Sequence, residues 1–320
     1  MAANVVVSKQ GDGQYTTLAD AVKNIPINHQ GTYIIQIKAG VYDENVIINN
    51  SNITLLGDGM GKTIFRSSRN KRGGYGISVS GAVVLLGDNF IVKNITFENT
   101  SDPANGQAVA LYSNGDKSVF YLCEFISHQD TLYVNGNRQF FRECDISGTI
   151  DFIFGDAAMI LQKCNIKFRQ PIGKQTNTMT AQGRTDPNSK TAIVVHDCKI
   201  IADNGFVPGS VLCYLGRPWK QFSRTIVMQS DIDKVIDPAG WIQWPGHSDY
   251  INTLDYEEFC NIGPGSSTGN RVKLWPGYKQ KVTANDVRQF TVTDFINGDQ
   301  WLPAIGVPFT PGLLEDMNCT

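Results

Sequence analysis

The chain has 320 residues, of which 41% are hydrophobic and 18% charged, enough to bury a large core; its 31 Gly and 13 Pro call for many turns. A formal charge of −2 and a pI near 6.1 exclude a global basic field of the kind that holds nucleic acid, so no nucleic-acid partner is expected. No apolar run approaches the roughly 18 to 20 residues of a membrane span, and Met1-Ala2-Ala3-Asn4 lacks the apolar core of a signal peptide, so the chain reads as soluble with no membrane partner.

In chain order, the first predicted element is an amphipathic helix with Leu18, Ala21, Val22 and Ile25 on one face and Thr17 as its cap. The basic run from Arg66 to Arg72 reads as a solvated loop face. Tyr33 to Ile37, Val46 to Ile48, Ala82 to Leu86 and Thr225 to Met228 have strand composition. Between the last two, one frame recurs around the cysteines, with an apolar residue three positions before and another two after: Phe120/Cys123/Phe125, Phe141/Cys144/Ile146, Leu161/Cys164/Ile166 and Val195/Cys198/Ile200. Ile48/Ser51/Ile53 and Val227/Ser230/Ile232 fit the same frame. Spacings of 21, 20, 34 and 32 between successive members from Cys123 to Ser230 mark a solenoid with loops in its longer coils. A leucine-rich frame is absent, and so is helical spacing over most of the chain. An all-β fold is therefore expected: a right-handed parallel β-helix over residues 1–320 as a single unit. The early helix would cover its open end, and the C-terminal segments would be irregular or helical.

Equivalent positions on consecutive coils stack about 4.8 Å apart. The frame therefore favours disulfides Cys123–Cys144 and Cys164–Cys198, with Cys144–Cys164 geometrically open and Cys213, Cys260 and Cys319 left over. Sequons at Asn49, Asn52, Asn94, Asn99 and Asn318 join the cysteines in favouring a secreted glycoprotein. The same counting brings two carboxylates together, because Asp130 lies seven residues after Cys123 and Asp151 seven after Cys144. At roughly 5 Å and an effective dielectric of about 20, two ionised carboxylates repel by about 3 kcal/mol, enough to separate their titrations by about two units. Such a pair supplies an acid and a nucleophile or base at one pH. The competing reading is a pair of turn residues bonding to backbone amides.

Specific blocks extend this reading. Gln129-Asp130-Thr131-Leu132-Tyr133, Asp151-Phe152-Ile153-Phe154-Gly155 and Leu215-Gly216-Arg217-Pro218-Trp219 resemble the signature blocks of plant-type pectin methylesterases, as do Gln107 to Leu111 and Gly40 to Glu44. The resemblance implies a carboxylic ester hydrolase that removes methyl esters from the galacturonate units of pectin. Asp151 would be the nucleophile and Asp130 the acid. Gln107 and Gln129 would donate to the oxyanion, and Arg217 would orient Asp151. It also implies sugar-binding roles for Tyr133, Phe154 and Trp219, no cofactor, a cell-wall location, a monomer, and control by a proteinaceous inhibitor. Trp241, Trp244, Trp275 and Trp301 are expected mainly in packing. His128 and Asp156 depart from the family's usual aromatic residue and Asn; each is expected chiefly as a solvated or packed residue, the alternatives being that His128 titrates near neutrality and that Asp156 adds charge near Asp151.

The His at 29, 128, 196 and 247 show no metal spacing, and no metal site is predicted. No Gly-x-Ser-x-Gly elbow supports serine chemistry. A polygalacturonase shares Arg271-Val272-Lys273 but requires adjacent aspartates, and a lyase requires an acidic calcium cluster. A third reading is a catalytically inactive β-helix that binds pectin or a partner protein.

Overall fold

The computed structural model describes residues 2–315; Cys319 and the sequon at Asn318 lie outside them. The strands form three parallel sheets of eleven, eight and seven strands. The chain visits them in turn, one strand of each per coil. In the eleven-stranded sheet Phe120, Phe141, Leu161, Val195 and Val227 occupy one register, and in the eight-stranded sheet Phe125, Ile146, Ile166, Ile200 and Ile232 occupy another. These are the flanking apolar positions of the cysteine frame. They stack into the lumen as continuous columns, with Phe120 and Phe141 rings 4.5 Å apart and nearly parallel. Each fully buried side chain of this kind contributes roughly 1.5 to 3 kcal/mol. Ser230 belongs to the frame, but Ser51 does not: Ile48 lies in the seven-stranded sheet and Ile53 in the eleven-stranded one, one corner out of step.

From Lys93 onward the corner between the eleven- and eight-stranded sheets is always two residues long. The first of the two, Asn94, Leu122, Glu143, Lys163, Asp197 or Gln229, is in the left-handed region with φ between 49° and 60°. Only one of the six is Asn and none is Gly, so the local cost of about 1 to 2 kcal/mol is held in place by the stacked neighbours. The second residue is the cysteine of the frame or its equivalent. The other two corners, on either side of the seven-stranded sheet, vary widely in length.

The expected disulfides Cys123–Cys144 and Cys164–Cys198 are not formed; all four thiols are free and buried, as is Cys213. Residues related by one coil stand about 4.8 Å apart with parallel side chains, whereas a disulfide needs Cβ atoms near 3.8 Å and a dihedral near 90°. The thiols donate instead to strand carbonyls of the preceding coil, Cys123 to Val92 O at 3.4 Å, Cys144 to Phe120 O at 3.4 Å and Cys198 to Leu161 O at 3.4 Å. Cys260 is disulfide-bonded.

The helix forms at Leu18–Lys23, with the Thr17 hydroxyl accepting from Asp20 N at 3.1 Å. Glu44 reinforces the cap by accepting from Leu18 N and Ala19 N. Leu18, Ala21 and Ile25 are buried over the first coil. At the other end Trp241 lies on Tyr256 and donates to Glu258, closing the lumen. Helices Ala284–Arg288, Val292–Ile296 and Leu302–Ile305 cover the outer face of the eleven-stranded sheet. A second core forms there from Phe140, Ile160, Val194 and Ile226 against Val287, Phe290, Ile296 and Leu302.

A polar ladder fastens the segment that follows. Gln162 exchanges two hydrogen bonds with the backbone of Thr310 and Gln229 two with Leu314, each amide imitating a strand partner. Buried His196 bridges the two glutamines. Burial holds His196 below the usual histidine range. Its folded pKa is thus lower than its unfolded one, and the stability it supports is lost as pH falls below about 6.5. In thermal melts, His196→Gln is expected to flatten the acid-side decline of Tm; an unchanged decline would exclude this residue as a source.

Candidate active site

The seven-stranded sheet faces a cleft of about 190 Å³ lined by Gln107, Gln129, Asp130, Asp151, Phe154, Arg217, Trp219 and Trp244. Each polar member sits at a corner rather than within a strand, which frees its side chain from the sheet. Asp130 precedes strand Leu132–Val134 and Asp151 precedes Ile153–Gly155, and the two strands pair in the register Leu132↔Ile153. The aspartates therefore occupy the same offset on adjacent coils. Both are left-handed, at φ 66° and 51°, a conformation Asp tolerates better than most residues.

Their environments differ. Asp151 receives Arg217 Nε and Nη2 at 2.8 and 2.7 Å in a bidentate pair and the Thr178 hydroxyl at 2.7 Å, so three donors fix its carboxylate. Asp130 has no hydrogen-bonded side-chain partner among the described residues. Burial first, and then the Asp151 charge, hold its carboxyl well above the usual range, against a smaller opposing pull from Arg217 and Lys71. One carboxyl is thereby biased toward its protonated form beside one clamped by three donors. The amides of Gln107 and Gln129 have no protein partner among the described residues, which leaves their N–H groups free to donate into the cleft.

The aromatic residues form a connected wall. Tyr133 stacks on Phe154 at 4.4 Å, and Trp219 meets Phe154 edge-on at 5.9 Å. Phe154 is only 4% exposed, Tyr133 and Trp219 are half-buried, and of these three Phe154 and Trp219 line the cleft while Tyr133 does not. Gly183 makes room for Trp219, because a Cβ there would meet Trp219 at 2.7 Å. Sequence reasoning missed two residues here. Trp244 was expected in packing, but it lines the cleft with the Arg217 guanidinium 4.4 Å over its ring. Thr178 lies 27 residues beyond Asp151, and the inserted loop at 169–176 hides their adjacency from simple counting.

His128 does not titrate near neutrality; burial and the neighbouring Arg169 lower it to about 4. Asp156 accepts from Gln182 and Thr191, and burial raises it. Its charge falls on Tyr133 and is not among the influences on Asp130. Arg271 is part of a buried ion pair with Glu258, outside the cleft lining. A larger, mainly apolar cavity near Phe206, Leu212 and Val235 holds none of the catalytic candidates. Among the described residues no group of His, Cys, Asp and Glu is placed to hold a metal ion, and no helix is long and apolar enough to cross a membrane.

A parallel β-helix with an unequal carboxyl pair and free amide donors on one exposed sheet carries the groups that acyl transfer requires. The chain belongs to the pectinesterase family, whose profile matches residues 4–299. It is 52% identical to pectinesterase 2 of Citrus sinensis over 97% of its own length and 61% of that protein's. It is 48% identical to the probable pectinesterase/pectinesterase inhibitor 17 of Arabidopsis thaliana, over 97% of the chain and 60% of that protein. The chain thus spans about three-fifths of the length of these relatives. Among solved structures, the pectin methylesterase from carrot superposes with a TM-score of 0.95 at 46% identity, covering 98% of this chain and 99% of that one, and the fold shares its right-handed coil. The Aspergillus niger pectin methylesterase superposes at 0.80 with 28% identity, over 95% and 97% of the two chains.

Proposed function

We propose that this chain is a pectin methylesterase that hydrolyses methyl esters of galacturonate units and releases methanol. The observation that carries the proposal is the unequal pair, with Asp151 clamped by Arg217 and Thr178 and the buried Asp130 carboxyl beside it left without a hydrogen-bonded side-chain partner among the described residues and raised well above its usual range.

In this reading a carboxylate oxygen of Asp151 attacks the ester carbonyl carbon, and the oxyanion that forms accepts hydrogen bonds from Gln107 and Gln129. A lost donor of this type raises a barrier by about 3 kcal/mol. As the C–O bond to the methoxy group breaks, Asp130 delivers its proton and methanol leaves. The galacturonyl group remains joined to Asp151 as an anhydride. Water then attacks that carbonyl while Asp130 takes one of its protons, and cleavage of the acyl–Asp151 bond frees the galacturonic acid group, which loses its remaining proton to solvent, and restores both aspartates. Trp219 and Trp244 would hold apolar sugar faces, with Phe154 packed edge-on against Trp219 and Tyr133 stacked on Phe154.

Single-unit behaviour over residues 1–320, a monomeric state, a secreted cell-wall location and control by a protein inhibitor belong to the same proposal, supported by family membership. The test is incubation with methylated pectin. Methanol should appear without chain shortening and without unsaturated products; shortened chains or unsaturated ends would transfer the chain to glycosidase or lyase chemistry.

A further inference from the structure

The helices that cover the eleven-stranded sheet stop short of its first coils. The second core begins at Val119 and Phe140, and the outward residues of the earlier strands Tyr33–Ile37, Ile53–Gly57 and Ile91–Lys93 do not join it. They form the floor of a cavity of about 520 Å³, with Ile34, Thr54, Leu56 and Ile91 below and Trp301 and Ile305 in one wall. That volume falls within the roughly 300 to 1,000 Å³ of small-ligand sites. Lys93 lines the cavity too, but its amine is committed to Ile305 O at 3.3 Å. The floor is therefore a mainly aliphatic shelf, and the polar groups that remain stand where Asn52, Asn89 and Gln300 border it.

Asn52, Asn89 and Lys117 occupy equivalent corners on successive coils, each in the left-handed region, at φ 60°, 58° and 55°. Their backbones are locked in series, Asn52 N donating to Asp88 O and Asn89 N to Asp116 O, both at 2.8 Å. The Asn89 amide then donates to Asn52 Oδ1 at 2.9 Å. This bond turns the Asn52 oxygen toward the next coil and leaves its Nδ2, which has no hydrogen-bond partner among the described residues, on the other side. Asn52 is exposed, and Thr54 follows two residues on along the same strand face, so the sequon Asn52-Ile53-Thr54 opens on the shelf with both polar members lining it. The sequon at Asn99 is built in the opposite way. Its Nδ2 donates to Arg69 O, Ser80 O and Val109 O at 2.9, 3.3 and 2.8 Å, and the residue is 2% exposed. A sugar on that nitrogen would take away donors that buried carbonyls need.

We propose that Asn52 is the modification site for an N-linked oligosaccharide whose first N-acetylglucosamine units lie along this shelf, over Ile34 and Ile91 and beside Trp301. In the modification, Nδ2 attacks the anomeric carbon of an oligosaccharide carried on a polyprenyl diphosphate. The N–C bond forms, the C–O bond to the diphosphate breaks, and one amide proton passes to solvent. The proposal rests on the secreted location given above, where such a donor is met, and uses no group of the cleft. Its test compares two hosts. Wild type and Thr54→Val, which keeps Asn52 and the strand but removes the acceptor signal, are each secreted from a eukaryotic cell behind an added signal sequence and also made in bacterial cytoplasm. Peptides of the secreted proteins, enzymatically deglycosylated in heavy-oxygen water, should show residue 52 converted to labelled Asp in wild type alone and residue 99 unmodified in both. Wild type should melt above Thr54→Val by about 2 °C more when both are secreted than when both are bacterial, the excess being the contribution of the packed sugar. Secreted wild type without a glycan at residue 52 would overturn the site. A glycan on residue 99 of folded protein would overturn the geometry that excludes it, and a zero excess would overturn the shelf. None of these readouts is methanol release, so failure of the esterase reading would be seen separately.

Discussion

Replacing Asp151 with Ala is expected to lower methanol release by about four to six orders of magnitude, roughly 5 to 8 kcal/mol of transition-state stabilisation. The size follows from position. The carboxylate removed is the atom group proposed to bond to substrate, and the donors that aim it, Arg217 and Thr178, have no function in the reaction without it. Asp151→Asn separates chemistry from folding, because the amide keeps the shape while removing the nucleophilic charge. Circular dichroism and melting should stay near wild type while turnover is lost; full activity in either variant would sink the mechanism. Asp130 gives a second, pH-resolved signature. Burial and the Asp151 charge raise its pKa well above the usual carboxylate range, so the proton needed by the leaving methanol is held to higher pH than on a free aspartate and is lost as pH climbs through that raised value. Activity should therefore fall on the alkaline side, and Asp130→Asn should abolish that limb along with most of the rate.

The largest expected loss of stability comes from Arg271→Met. Arg271 and Glu258 are each 1% exposed in their side chains and meet in a forked pair at 2.9 and 3.0 Å. Arg271 also donates to Pro238 O and Gly265 O, tying two turns to the end of the lumen. Glu258 further accepts from Trp241 and Tyr278, the rings that close that end. Removing the guanidinium strands a buried carboxylate, which costs about 3 to 5 kcal/mol and roughly 10 °C in Tm. A double variant with Glu258→Leu should recover much of that loss, because the uncompensated charge is gone as well. Melting of Arg271→Met at the wild-type temperature would show that the pair is not a main support. The Arg-Val-Lys tripeptide shared with polygalacturonases is, in this chain, a structural brace.

Much of the fold was legible because one corner repeats. The left-handed residue and the inward residue after it recur wherever the eleven-stranded sheet turns into the eight-stranded one, which made Cys123, Cys144, Cys164 and Cys198 visible as a column. The same counting put Asp130 and Asp151 at one offset. Counting failed where a coil changed length. Ser51 fell into the frame by coincidence, and Thr178 was hidden behind an insertion. Stacking was also read as bonding: a column of thiols one coil apart is what parallel strands produce, and that spacing is too wide for disulfides. The second core had a signal that went unused. Consecutive apolar pairs such as Phe140-Phe141, Ile160-Leu161 and Ile226-Val227 mark strands buried on both faces, and so require a cover for the outer one. Trp244 gave no comparable signal, since its place depends on a long irregular segment and not on the repeat.

The two corners of variable length have a further consequence. Both border the seven-stranded sheet, and between them they carry Gln107, Gln129, Asp130, Asp151, Arg217 and Trp219. The rigid corner on the far side sets the pitch, so residues can be added to or removed from either bordering corner without sliding the coils against one another. Insertion and deletion therefore reshape the banks of the groove while the distance between the two aspartates stays constant. Selection can then alter which polymer pattern is accepted through loop length, with the reaction chemistry held constant by the pitch.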